Sequence, residues 1–340
     1  MTTTPQISPA TRPVRRPRRL LLIALLLGVG LLIGGELTAR FALGLGDPPL
    51  YKLDPDLEYV LVPSRQYHRF GHDYSVNSHS MRSPEFPDHK SSPDELRVMV
   101  IGDSIVNGGA RIDQSELATT LLAQGLRDRL KRPVTVGNIS AGSWGPPNQL
   151  AYAKKLGLFD ADIVILVLNS EDVADVPGLE YIGQAWPRER PWSALGELLG
   201  VYVPRYMEKL TGRPHEPPPP PHTTTRDQDI QTCRASLLDL IALARSKGAA
   251  VGVVLYLTRP ELTGQALAGH ATLRDTATSA GAPVLDTRSA FAPALASGRQ
   301  VFLKGDDVHA GPDGQRLLAS IIEDLAISLT ASRTAPPSAP

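Results

Sequence analysis

The stretch Val98-Met99-Val100-Ile101-Gly102-Asp103-Ser104 decides the fold. Four consecutive apolar residues, three of them β-branched, run into a glycine and an aspartate. That pattern is a buried strand ending in a tight turn. A strand with no polar alternation is covered on both faces, as in a parallel sheet. Open parallel sheets bind their ligands beyond the carboxyl ends of their strands. Ser104 stands at such an end.

From residue 96 onward, strands and helices alternate. Strands are expected at 98–101, 134–136, 163–168, 251–257 and 284–285, and helices at 115–130, 148–158, 230–246, 264–280 and 317–329. Leu117, Leu121, Leu122 and Leu126 line one face at helical spacing. The uninterrupted apolar run 163–168 is expected to be a central strand. Lys247-Gly248 ends the long helix. Alternation of this kind predicts an α/β fold, a doubly wound parallel sheet. No internal repeat interrupts it.

Three places carry chemistry. Gly102 allows the turn, Asp103 can hold it by accepting backbone hydrogen bonds, and Ser104 is then presented with its own N–H free to face a developing oxyanion. Asn138-Ile139-Ser140-Ala141-Gly142 follows the second strand on the same edge, and Gly142 offers a second N–H donor. Asp306-Asp307-Val308-His309 precedes the last helix. Asp306 is within one turn of His309 and can fix its tautomer, with Asp307 as the alternative partner. Together these residues can supply a nucleophile, a base and an orienting carboxylate.

The composition narrows the field further. The chain has 340 residues, with 35 basic and 35 acidic side chains and a formal net charge of zero, so no basic face for nucleic acid is indicated. Cys233 is the only cysteine, which excludes an intramolecular disulfide and cysteine-rich metal sites; it reads as a buried, inert thiol. His68, His72, His79, His89, His215, His222 and His270 do not cluster with carboxylates at ligand spacing, so no metal is expected.

Residues 1–19 read as a short cytoplasmic tail carrying Arg12, Arg15, Arg16, Arg18 and Arg19. Residues 20–40 read as a transmembrane anchor, with the arginines placing the amino terminus in the cytoplasm and the rest of the chain outside it. A cleaved signal peptide is the rival reading, although Leu37-Thr38-Ala39 is a poor cleavage pattern. Residues 41–95, rich in proline, read as an irregular stalk or extension with short strands at 59–62 and 74–76. Residues 96–330 read as the main domain, interrupted by an insertion at 173–226, and 331–340 as a disordered tail. The insertion holds Tyr181, Trp186, Trp192, Tyr202 and Tyr206 and a proline run at 217–221, which suits either a lid or sugar platform or an ordinary small subdomain.

The ordered set Gly102-Asp103-Ser104, Gly142, a polar residue after the third strand, and Asp306-x-x-His309 resembles the SGNH (GDSL-type) hydrolase superfamily over about residues 96–330. The segment Val76-Asn77-Ser78-His79-Ser80-Met81-Arg82 is similar to the lead-in of membrane-anchored members related to envelope polysaccharide acetylation (alginate acetyltransferase-like) proteins. The resemblance implies a flavodoxin-like sheet, with Ser104 as nucleophile, His309 as base, Asp306 as its orienter, Ser104 and Gly142 N–H groups as oxyanion hole, and no cofactor. One departure stands out. Where the family has Gly-x-Asn-Asp, this chain has Asn169-Ser170-Glu171-Asp172, so Glu171 occupies the position of the third oxyanion donor. An ionised Glu171 repels an oxyanion. Three alternatives stay open: Asn169 serves instead, Glu171 is protonated, or Glu171 orients a substrate group.

The expected function is therefore a membrane-anchored, extracytoplasmic serine esterase acting through an acyl-enzyme on acetyl or other O-acyl groups of a carbohydrate or lipid. Two alternatives are an envelope polysaccharide O-acyltransferase, fed by a multi-span acyl-donor partner, and a non-catalytic binding or scaffold protein of the same fold.

Overall fold

The computed structural model describes residues 16–178, 186–212, 224–264 and 268–334. Helix α1 (Arg16–Leu37) continues through a wide turn to Ala42. Two antiparallel hairpins follow, β1 (Tyr51–Asp54) with β2 (Glu58–Leu61) and β3 (Arg65–Arg69) with β4 (His72–Val76). Then come β5 (Leu96–Gly102), α2 (Ser104–Asn107), α3 (Ala118–Leu130), β6 (Val134–Ser140), α4 (Pro146–Lys155) and β7 (Ile163–Leu168). The insertion carries α5 (Ala194–Glu197) and α6 (Val203–Thr211), joined by a π turn. The chain closes with α7 (Arg226–Ser246), β8 (Ala250–Leu255), α8 (Arg259–Leu262), α9 (Gly269–Ser279), β9 (Val284–Asp286), α10 (Arg288–Ala296) and α11 (Pro312–Thr334).

β5 to β9 form one parallel sheet in the order β6-β5-β7-β8-β9. Counted among themselves the strands run 2-1-3-4-5, the flavodoxin-like doubly wound order, with its switch point between β5 and β7. Alternate residues of β5 enter different layers. Met99 and Ile101 join a cluster with Leu150 of α4, Leu240 of α7 and Leu273 of α9. Val98 and Val100 join Leu122 of α3, Phe291 of α10 and Leu318 of α11. Burial on both faces is why the strand reads as continuously apolar.

Several elements differ from the sequence reading. Residues 41–95 are not simply irregular. β1 and β3 are largely polar, so they give no apolar alternation, yet Leu57, Tyr59 and Val60 around the first hairpin enter the main core. Tyr67, Tyr74 and Val76 of the second hairpin form a separate cluster with Leu61 of the first. β6 reaches Ser140 because buried Asn138 is satisfied by donating to the Val106 carbonyl at 2.8 Å and to Thr119 at 3.1 Å. α10 forms despite Pro293 within it. The proline run 217–221, Tyr181, His215, His222, residues 1–15 and residues 335–340 lie outside the described residues.

Among the described residues, one helix is long and apolar enough to cross a membrane: Arg18–Ala42, 25 residues whose most apolar 18-residue stretch has a mean hydropathy of 2.5.

Candidate active site

Gly102 ends β5 where no Cβ fits: one added there would lie 2.5 Å from Val106 Cγ2 and 2.9 Å from the Val167 carbonyl oxygen. Asp103 then caps α2 by accepting from the Ile105 N–H at 2.8 Å. Ser104 is thereby the first helical residue, and its N–H has no acceptor within its own helix.

Ser104 Oγ lies 2.9 Å from His309 Nε2, across 205 residues of sequence. His309 Nδ1 lies 2.9 Å from Asp306 Oδ2. The other oxygen of Asp306 accepts the N–H groups of Val308 and His309, both at 2.9 Å, so the carboxylate shapes the loop that carries the imidazole. Tyr256 pins the same loop by donating its hydroxyl to the Val308 carbonyl at 2.7 Å. Burial pushes the Asp306 carboxyl up, but the His309 and Val308 N–H groups and the His309 ring outweigh it and hold the group below the usual carboxylate range. Asp307 points elsewhere, to Arg259 Nε at 2.7 Å.

The residues after β7 are bound to the turn that carries Ser104. Asn169 donates its side-chain amide to Asp103 at 2.7 Å and accepts the Glu171 N–H at 2.7 Å. One N–H of the amide thus ties the end of β7 to the turn after β5. Glu171 is exposed, in the first turn of a short 3-10 helix (Ser170–Val173). Gly142 follows β6. The Tyr59 hydroxyl donates to its carbonyl at 2.5 Å, and Trp186 Nε1 lies 3.3 Å from where a Gly142 Cβ would stand. Tyr59 and Trp186 also pack together, ring centroids 5.5 Å apart.

Beneath the site lies a set of carboxyls. Burial pushes Asp103 and Asp172 up, and the Asp103 charge adds to the rise at Asp172. Asp175 is pushed up to about 7, first by burial and then by Asp103, Glu58 and Glu171. The sign of its effect on stability follows directly. Between about pH 4 and 7 an unfolded chain has lost this proton while the folded protein keeps it, so folding weakens as pH rises and the cost is complete above 7. At about 1.4 kcal/mol per pH unit it reaches up to about 4 kcal/mol. Asp175→Asn is expected to raise the melting temperature by several degrees at pH 8 and to change it little at pH 4, as read by thermal unfolding in detergent micelles.

Several contributors carried no local sequence signal. Arg111 Nη2 lies 2.9 Å from Asp306 Oδ2. Buried Arg82 donates to the carbonyls of Asn107 (2.6 Å), Gly109 (2.7 Å) and Ile112 (2.5 Å), fixing the loop that follows α2. Its guanidinium lies 4.0 Å from the Tyr74 ring centroid. Cys233 is buried, with its thiol pushed up to about 12 by burial.

Comparison with known proteins completes the picture. No curated protein matches the chain. Among solved structures it is similar to a member of the lipolytic G-D-S-L family from Veillonella parvula (15% identity, TM-score 0.40, covering 69% of this chain and 98% of that one). It is also similar to a two-domain esterase active on acetylated mannans (14% identity, TM-score 0.46, covering 72% and 53%). A third is an acetylxylan esterase from Geobacillus stearothermophilus, solved as a catalytic mutant (14% identity, TM-score 0.42, covering 68% and 93%). The GDSL-like lipase/acylhydrolase family model matches residues 100–317, a span that begins inside β5 and takes in both Ser104 and His309. With well over half its length matched, this chain belongs to the GDSL-like lipase/acylhydrolase family.

Proposed function

We propose that the chain is a membrane-anchored serine esterase. Residues 20–40 form its single span after a cytoplasmic tail, and residues 96–330 form an extracytoplasmic unit that removes O-acyl groups, most simply acetyl, from a carbohydrate or lipid. The observation that carries this reading is the contact chain Ser104–His309–Asp306, both links at 2.9 Å, beside the switch point of the sheet.

Ser104 Oγ attacks the acyl carbonyl as His309 Nε2 takes its proton. Asp306 holds the imidazole and stabilises its charged form. The N–H groups of Ser104 and Gly142 receive the oxyanion. Collapse expels the alcohol, which takes the proton from His309 and leaves an acyl-enzyme. Water then repeats the cycle and releases the acid. A fluorophosphonate probe is expected to label the protein once, at Ser104 by peptide mapping. A label mapped elsewhere overturns the reading.

One observation favours a second reading. With one Asn169 N–H given to Asp103 and Glu171 at the third-donor position, the oxyanion hole lacks the family's usual asparagine donor. Losing such a donor costs on the order of 3 kcal/mol in barrier. A slowly hydrolysed acyl-enzyme suits transfer to a sugar hydroxyl, with a multi-span partner supplying acyl groups across the membrane. Incubation with a glycan acceptor separates the two: acylated glycan means transfer, free acid alone means hydrolysis. Glu171→Asn is expected to raise esterase kcat about tenfold by removing a repulsive charge and adding a donor. A fall in kcat would instead give Glu171 a positive role.

A further inference from the structure

We propose that the segment 192–211 is a membrane-interfacial platform, its outward apolar face seated in the lipid headgroup region beside the exit of α1. The inference rests on the anchor reading of α1, and on how the segment is fastened to it.

α5 is docked on the end of the span. The Glu36 carboxylate accepts the N–H groups of Ala194 (3.1 Å) and Leu195 (2.9 Å) while pairing with Arg40 at 2.7 Å. A Cβ on Gly35 would lie 3.2 Å from Leu195 Cδ2. Ala39, Leu45 and Ala194 form a buried cluster against which Leu198 and Tyr202 pack. Glu197 accepts the Gly46 N–H at 2.7 Å and forms a buried ion pair with Arg69. The helix and the end of the span are therefore one packed unit.

The depth of that unit follows from length. Leu20 is the first residue after Arg18 and Arg19. About 20 residues at roughly 1.5 Å each cross a hydrocarbon core of about 30 Å, which brings the chain to the neighbourhood of Ala39. Residues 35–39, and the helix fastened to them, thus lie at the boundary between hydrocarbon and headgroups.

The exposed face fits that location. Val203, Tyr206, Met207 and Leu210 recur at helical spacing and all point outward; Tyr206 and Leu210 are each 63% exposed. Leu199 extends the stripe into the π turn (Leu198–Tyr202), and Trp192, 91% exposed, precedes it. Phe41, just past the span, is also apolar and 79% exposed. A helix on a water-facing surface turns such a stripe inward. Here Leu198 and Tyr202 make the inward contacts and the stripe faces out. Tyr and Trp suit the interface, where one end of the ring is wet, and Arg205 and Lys209 supply positive charge near headgroups.

The test uses the full chain in phosphatidylcholine–phosphatidylglycerol liposomes. Cys233 is buried, so a fluorophore reports only an introduced cysteine. Single variants Tyr206→Cys and Leu210→Cys probe the stripe, Leu27→Cys the middle of the span, and Lys247→Cys an exposed loop. With bromine on the lipid acyl chains, labels at 206 and 210 are expected to lose about half their emission or more. The label at 27 is also quenched, and that at 247 responds only to aqueous iodide. Quenching at 27 with iodide-accessible labels at 206 and 210 overturns the platform and leaves the anchor. Absence of lipid quenching at 27 overturns the anchor and the platform with it. Labels at 206 and 210 shielded from both quenchers mean that protein, such as a second copy, covers the face, which also overturns the proposal.

Discussion

Ser104→Ala and His309→Ala each lower kcat/KM for a short-chain p-nitrophenyl ester on the order of 10⁴-fold or more, and the double variant is at most severalfold worse than either. The reason is that the two side chains perform one act. Without the imidazole the hydroxyl keeps its proton, and without the hydroxyl the imidazole has nothing to deprotonate. The remaining rate comes from binding and from the two backbone donors, which neither change removes. Both substitutions leave the scaffold alone. Ser104 is held by the Asp103 cap and the α2 backbone, and the His309 loop by Asp306 and by Tyr256 on the Val308 carbonyl. Melting temperatures within a few degrees of the parent are therefore expected, and an inactive but folded variant is informative. Activity that survives both changes would remove the hydroxyl–imidazole pair from the mechanism. Losses that multiply in the double variant would mean that the two groups serve separate steps.

Much of this arrangement was legible in the residues, for identifiable reasons. Val98-Met99-Val100-Ile101 and the run 163–168 read as buried strands because parallel strands covered on both faces have no polar side to hide. Gly102 read correctly as a turn glycine, since its constraint is steric and local. The pairing of positions 104 and 309 was legible only because strands of a doubly wound sheet all end on one rim. What was missed depends on tertiary contact. β1 and β3 carry Lys52, Asp54, Arg65, Gln66 and His68, so their pairing is seen only once the hairpins close. The start of α7 at Arg226, not at 230, follows from a reciprocal cap between Thr225 and Gln228, a local signal that apolar periodicity overlooks. Tyr59 and Trp186 reach Gly142 from elements far away in sequence, and the meeting of Arg111 with Asp306 spans 195 residues. Asn169 is the instructive case. Its position at a strand end was legible, but the bond its amide makes to Asp103 depends on a neighbour 66 residues away.

Asp306→Asn is expected to lower kcat roughly 10³–10⁴-fold with KM little changed, while Asp307→Asn changes either by less than about twofold. The contrast follows from which atoms each carboxylate faces. An asparagine at 306 can keep its carbonyl oxygen toward the Val308 and His309 N–H groups, so the loop retains its shape. Its NH₂ then replaces the oxygen 2.9 Å from His309 Nδ1. A donor at that point requires the ring to present a lone pair at Nδ1, and the neutral imidazole must carry its proton on Nε2 instead. Nε2 is the atom that has to accept from Ser104, so the base is lost to the wrong tautomer while the geometry survives. The developing imidazolium also loses its countercharge. The same NH₂ meets Arg111 Nη2, previously 2.9 Å from the carboxylate, and donor faces donor there as well. Asp307 has no such leverage, because its side chain answers Arg259 and is largely exposed. Steady-state kinetics on the two variants, with their melting curves, decide the matter. If Asp307→Asn proves the damaging change and Asp306→Asn the mild one, the imidazole takes its orientation from the other carboxylate and the proton relay described here runs through the wrong neighbour.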